Sequence, residues 1–286
     1  MKCKFCGQEK IVKWGKVKGK QVYKCKTCNH RFFDNGTYTR MRNKSEIIKA
    51  SLDMYFSGLS FRKTVDEIRF IYSVDVNETT IFRWLQKYSR IVKAYTDTFQ
   101  ADLGEILHSD ETVVRINAQE KWVWEAICPK TKMMVASHLS DARTEEDAIT
   151  IFKQIKAMSK QKPKEICVDG LPAYMSAFRD TFFRRYKDDR VELRRRVGIR
   201  GVKKNNPVER LHGTLKDRIK VMRGLKRMER TRGFLMGWNV HYNYIRPHQS
   251  LKNHRTPAQE AGIQIDTSQR WGSLIEQATW YETKRR

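Results

Sequence analysis

The stretch "EILHSDETVVRI", residues 105–116, has the apolar, β-branched content of a strand, yet it carries Asp110 among Ile106, Val113 and Val114. A carboxylate amid a buried strand is costly unless it is paired or holds a metal. Two more strand-like runs follow, "KWVWEAICP" (121–129) and "MMVASHLS" (133–140), joined by a turn at Pro129, Lys130 and Thr131. "TEEDAITIFKQIKAM" (144–158) has the periodicity of an amphipathic helix. "KEICVDG" (164–170) reads as a short buried strand ending on Asp169-Gly170, and "AYMSAFRDTFFRRY" (173–186) as another helix. The order βββαβα, with a later helix from Asn206, predicts an α/β domain: a mixed sheet flanked by helices.

That later helix lies in "NNPVERLHGTLKDRIK", residues 205–220. Asn206 suits an N-cap, Pro207 the first helical position, and Glu209 the third, the arrangement of a capping box. At 100° per residue Val208, Leu211, Leu215, Ile219 and Met222 form an apolar stripe, with Glu209, His212, Lys216, Lys220 and Arg223 along its flank. Glu209 can therefore cap the helix and still offer a carboxylate near the sheet, above a row of cations. Asp169-Gly170 taken alone reads equally well as a plain turn.

The formal net charge of +26 is concentrated. Residues 1–44 hold 13 Lys/Arg against 2 acids, and residues 179–230 hold 19 against 7. Cation excess confined to two regions predicts a polyanionic partner, with nucleic acid the usual one. No signal peptide and no apolar run long enough to span a bilayer stands out, so a cytoplasmic chain with no membrane partner is expected. Cysteines in a reducing compartment do not form a disulfide framework. Cys3, Cys6, Cys25 and Cys28 instead make C-x2-C…C-x2-C with 18 residues between the pairs, the spacing of a structural zinc site with one Zn²⁺. The intervening "IVKWGKVKGKQVYKC" reads as two short strands, the look of a zinc ribbon. Cys128 and Cys167 sit in apolar runs as small core residues. Residues 45–90 read as three helices, with Asn77 a cap for the third. On that helix Ile81, Trp84, Leu85 and Tyr88 share one stripe, while Thr79, Arg83, Gln86 and Arg90 point away from it. A Thr/Arg/Gln face suits a helix-turn-helix reading of a major groove.

Taken together, "HSDET" with Asp110, "CVDGLPAY" with Asp169, "NNPVERLHGTLKDRIK" with Glu209, "HYNYIRPHQSL" (241–251) and the "TPAQEAGI" after it make the chain resemble the DDE transposases of prokaryotic insertion sequences. The resemblance implies a ribonuclease H-like catalytic domain in which Asp110, Asp169 and Glu209 are catalytic and hold two Mg²⁺ or Mn²⁺ ions. It implies double-stranded DNA as partner (the element's terminal repeats, then target DNA) and a homodimer or larger synaptic assembly. Lys216, seven residues after Glu209, matches a basic position of the family and would hold phosphates with Lys220 and Arg223. The implied chemistry is metal-dependent hydrolysis that leaves a 3′-OH, then attack of that 3′-OH on target DNA, without a covalent enzyme intermediate. The 39 residues between Asp169 and Glu209 exceed the commonest family spacing, which keeps Glu192 as an alternative third carboxylate. The expected organisation is a zinc ribbon at 1–40, helix-turn-helix at 41–98, catalytic domain at 99–265 and a C-terminal tail at 266–286. Two other functions fit the same residues: a DNA-binding regulator with a non-catalytic core, and a nuclease that cuts without joining.

Overall fold

Lys18 and Gly19 both take left-handed φ, 48° and 78°, the backbone of a two-residue hairpin turn. They join β1 (Ile11–Val17) to β2 (Lys20–Cys25), and β3 (Arg31–Phe33) completes an antiparallel sheet in the order β1-β2-β3. The computed structural model describes residues 1–39, 41–182, 190–195, 206–222 and 224–285. The chain forms two compact units, Met1–Thr96 with Asp266–Arg286, and Asp97–Ile265.

In the first unit the ribbon leads into α1 (Ser45–Phe56), α2 (Phe61–Tyr72) and α3 (Glu78–Thr96). Ser60 caps α2 by accepting from the Lys63 N–H, and Asn77 caps α3 by accepting from the Thr80 N–H at 2.8 Å. The predicted stripe of α3 is buried: Ile81, Trp84, Leu85 and Tyr88 are all at most 4% exposed.

The second unit is built on the strand that carries Asp110. β4 (Ile106–Ile116) turns through Asn117 and Ala118, both at positive φ, into β5 (Gln119–Ile127), and β6 (Met134–Ser140) follows. α4 (Glu145–Met158) starts with a capping box between Thr144 and Asp147. β7 (Glu165–Val168) then runs parallel to β4. After α5 (Pro172–Phe182), β8 (Glu192–Arg195) runs parallel to β7. The sheet order is β6-β5-β4-β7-β8, three antiparallel strands followed by two parallel additions. α6 (Asn206–Val221) packs on β4 and β5, and α4 packs on β5, β6 and α5, so helices flank the sheet as predicted. β8 is a strand the sequence does not announce: of its four residues three are charged, too little apolar alternation for a signal.

α7 (Met228–Val240) passes into a π-helical turn, His241–Ile245, whose five residues are all buried. There Asn243 accepts from the Met134 N–H at 2.9 Å and donates to the Met134 carbonyl at 2.8 Å. One amide thus satisfies the backbone of an edge strand, which would otherwise present open ladder groups. α8 (Pro257–Glu260) carries a second capping box, between Thr256 and Gln259.

The chain then returns to the first unit. α9 (Trp271–Arg285) packs against α1 and α3, with Trp271 stacked on Phe56 at 5.2 Å. The residues expected to form a tail at 266–286 therefore supply core side chains: Trp271, Leu274, Ile275 and Ala278 are fully buried. Their i, i+3, i+4, i+7 spacing is the mark of a packed helix face.

Candidate active site

The register of the two central parallel strands brings the first two predicted acids together. Ile106 pairs with Glu165, Leu107 with Ile166 and His108 with Cys167. Continued two residues further, that register sets Asp110 beside Asp169, which follows the last residue of β7. Carboxylate oxygens of Asp110, Glu111 and Asp169 all lie within 4.8 Å of one another. Asp169 makes the turn bond expected of it and also stands in the acid cluster. Its Oδ1 accepts from the Leu171 N–H at 2.9 Å, a turn bond, while Oδ2 stands 4.0 Å from Arg143 Nη2.

Glu111 has no role in the sequence reading, because neighbouring strand residues point to opposite faces. Here that alternation sets the two acids against different helices. Asp110 faces α6, where His212 Nδ1 is 4.0 Å from its Oδ2. Glu111 faces α4 and α5, where Arg143 donates to its Oε1 and the buried Tyr174 hydroxyl donates to Oε2 at 3.1 Å. Arg143 also stacks over Trp122 at 4.5 Å, which fixes the guanidinium beside both Glu111 and Asp169. Burial and then the negative charges of Glu111, Asp169 and Glu209 push Asp110 up to about 7. Burial and Asp169 raise Glu111 as well, against the pull of Arg143. An acid set whose charges repel one another in this way is a fit donor set for hard divalent cations, which take oxygen ligands and remove the repulsion.

Glu209 sits in the first turn of α6, exposed, and its charge reaches Asp110. It is not among the acids gathered within 4.8 Å, since its distance is set by how α6 packs on the sheet and not by strand register. Arg223 lies outside the described residues, and the capping expected of Asn206 rests on a side chain that is likewise not described. Lys216 and Lys220 are exposed along α6. His212, expected on that cationic flank, is instead 6% exposed. At 100° per residue it falls between the apolar stripe and the flank, and it closes over the sheet. Its Nε2 stands 3.7 Å from Oε2 of Glu125, a residue paired in register with Asp110 on β5. Glu125 is fully buried, and burial pushes it up to about 8; burial and then Lys216 push His212 down to about 4. Both shifts favour the uncharged forms, a carboxylic acid facing an imidazole. Neither Glu125 oxygen has a hydrogen-bond partner among the described residues. The signal for Glu125 is legible only as one acid in an apolar strand. Glu192, the alternative third carboxylate, opens β8 beside Glu165, three residues down the ladder from Val168, and belongs to the far end of the sheet.

On the α3 face, Thr79 and Arg83 are exposed and Gln86 is half-buried. In the ribbon, Sγ of Cys3 lies 3.7 Å from that of Cys28, and Sγ of Cys6 lies 3.6 Å from that of Cys25. A tetrahedron with Zn–S bonds of about 2.3 Å has edges of about 3.8 Å, so the four thiols fit one zinc ion. Burial resists ionisation of Cys25, but the Cys28 and Thr27 backbone N–H groups and the neighbouring thiols bring it down to about 6. Among the described helices, none is long and apolar enough to cross a membrane.

No curated protein matches the chain. Among solved structures, a chain of the simian T-cell lymphotropic virus intasome, seen with PP2A regulatory subunit B56 gamma, aligns with 15% identity and a TM-score of 0.42. That alignment covers 58% of this chain and 57% of the intasome chain, so little more than half of that relative is spanned. The HTLV-2 integrase catalytic core domain with magnesium aligns with 14% identity and a TM-score of 0.41, over 57% of this chain and 99% of the core domain. The family model described as the DDE domain, of the IS240 transposase type, matches residues 105–248, half of the chain and the whole span from β4 through the π-helical turn. The fold built around β4 and β7 is thus a ribonuclease H-like core, and the chain belongs to the DDE transposase family.

Proposed function

We propose that the chain is the transposase of an insertion sequence, binding the element's ends and carrying out DNA strand cleavage and strand transfer. The observation that carries this reading is the meeting of Asp110 and Asp169 at adjacent strands with the charge of Glu209 reaching Asp110 from α6. Asp110, Asp169 and Glu209 would hold Mg²⁺ or Mn²⁺. Two such ions supply Lewis-acid activation and charge neutralisation to an in-line phosphoryl transfer. Around them, Arg143 and Tyr174 keep Glu111 in place, and buried Glu125 and His212 stand beside Asp110 on the α6 face of the sheet. Lys216 and Lys220 lie along α6 on the exposed side, where a phosphodiester backbone can run. Thr79, Arg83 and Gln86 on α3 suit contacts to base edges and phosphates of the terminal repeats. Retained acids in this arrangement speak against a non-catalytic regulator, while cutting without joining is excluded only by assay. In the cell the active species would be a dimer or larger assembly that pairs two DNA ends.

The test uses labelled duplexes carrying the element's own terminal repeats, with Mg²⁺ or EDTA. Wild type should cut and join only with the metal. Glu209→Gln should bind the same duplex and do neither. A wild type that binds the ends but never cuts under any divalent cation would return the regulator.

A second reading has its own observation, the closeness of Glu111 to Asp110 and Asp169. If Glu111 is the third ligand, Glu111→Gln abolishes cleavage and Glu209→Gln does not.

A further inference from the structure

The ribbon carries an arrangement that zinc binding does not use. Residue Trp14 interrupts the pairing of β1 with β2: Lys13 pairs with Tyr23 and Gly15 with Val22, leaving Trp14 as the extra residue of a β-bulge. A bulge re-aims the side chain it carries. Gly15, at φ 122°, supplies backbone freedom for it. The indole is left 46% exposed. Over its ring stand Lys24 Nζ at 4.2 Å and the Arg31 guanidinium at 4.7 Å.

Those two cations are direct partners across β2 and β3. Like charges directly opposite each other destabilise a sheet. Neither meets a carboxylate among the described residues, and the shared indole is what holds them. They do not neutralise the thiolates either, because Cys25 and Phe32, next to them in sequence, face the buried side of the sheet while Lys24 and Arg31 face the other. Lys13, Lys16, Lys18 and Lys20 extend the same hairpin, all exposed.

We propose that this hairpin is a DNA-backbone site in its own right: Lys24 and Arg31, held as a pair by Trp14, clamp a phosphate of duplex DNA. It rests on the reading that the chain binds DNA, and it adds a binding surface separate from α3 and α6. The paired cations gain a shared anion that offsets their repulsion, and the indole spares the side-chain ordering that binding otherwise costs.

The experiment measures binding of full-length protein to a fluorescein-labelled 30-base-pair duplex of random sequence, by anisotropy, across a range of NaCl. Removing one cation that neutralises a phosphate lowers the slope of log K against log salt by about 0.9. Lys24→Gln with Arg31→Gln, which frees the one shared phosphate, should lower the slope by about 0.9 and weaken binding about 5-fold at 0.15 M salt. Arg31→Gln alone, in a strand without cysteines, leaves Lys24 on that phosphate and should lower the slope by less than about 0.9. Trp14→Ala should weaken binding, and Trp14→Phe should restore most of it, since a phenyl face still attracts cations. Zinc content is measured for every variant. Unchanged slopes in zinc-loaded variants overturn the hairpin site, while an Arg83→Ala loss in the same assay leaves the DNA reading standing. Equal loss of binding to phosphatidylserine vesicles, with none to DNA, overturns it in favour of a membrane surface. Failure of wild type to bind the duplex at any salt overturns both proposals.

Discussion

Asp110→Asn should stabilise the metal-free protein while removing its response to divalent cations. The acid is 20% exposed by side chain, and its neighbours Glu111 and Asp169 bring their oxygens within 4.8 Å. Two unit charges at that separation repel by about 3.5 kcal/mol at an effective dielectric of 20. Burial disfavours the charged form further still. Asp110 ionises at about 7 in the fold, against an ordinary value of 3.8. A folded-state pKa above the unfolded value means that the fold holds the proton more tightly between about pH 4 and 7. Stability from this group is thus greatest below pH 4 and is lost as pH rises towards 7, by about 1.4 kcal/mol per unit and about 4 kcal/mol in all. Asparagine keeps the shape and cannot ionise. In EDTA at pH 8 the variant should therefore be more stable than wild type by about 2–4 kcal/mol, roughly 5–10 °C in the transition of the catalytic unit. The difference should shrink as pH falls and vanish near pH 4. Added Mn²⁺ should raise the wild-type transition and leave the variant where it is. Differential scanning calorimetry over this pH range, with and without Mn²⁺, reads all three. A variant no more stable than wild type at pH 8 in EDTA would refute the electrostatic reasoning, and an equal Mn²⁺ shift in both would remove Asp110 from the metal site.

Three further outcomes depend on particular side chains. Cys25→Ser should lower zinc from one ion per chain and unfold the ribbon, read by metal analysis and by loss of protected amides in β2; full zinc retention would remove Cys25 as a ligand. Leu274→Ala, at a fully buried position of α9, should cost about 2–5 kcal/mol in urea denaturation of the first unit, whereas a free tail would tolerate it. Asn243→Ala leaves two Met134 backbone groups unsatisfied at the β6 edge and should cost about 1–3 kcal/mol, with faster hydrogen exchange at Met134 as the local signature.

Much of this site is legible in the chain because it depends on local patterns. Asp110 stands out as a charge in a strand of apolar residues, and the four cysteines as two tight pairs. The buried stripe of α3 follows from period 3.6 alone. The misses share a cause too. Glu111 and Arg143 are ordinary surface types in sequence, and Glu125 is one acid in a strand. Only their partners from other elements, Tyr174, Trp122 and His212, make them part of the site. Helical angle alone puts His212 beside the cationic flank, and only the packing of α6 on the sheet buries it. β8 lacks apolar alternation, and α9 has the spacing of a packed face but stands after a stretch that reads as the end of the domain.

The sequence by itself determined the order from β4 through α5, the cysteine pairs, the cap of α3 and the candidate acid of α6, since each is set by neighbours within a few residues. The tertiary structure decided which acids meet. Register between β4 and β7 sets Asp110 beside Asp169, pleat alternation sends Glu111 to the opposite face, and the packing of α6 sets how far Glu209 stands from both. Those distances depend on pairings between residues some 40 to 100 positions apart in the chain, and no local propensity encodes them.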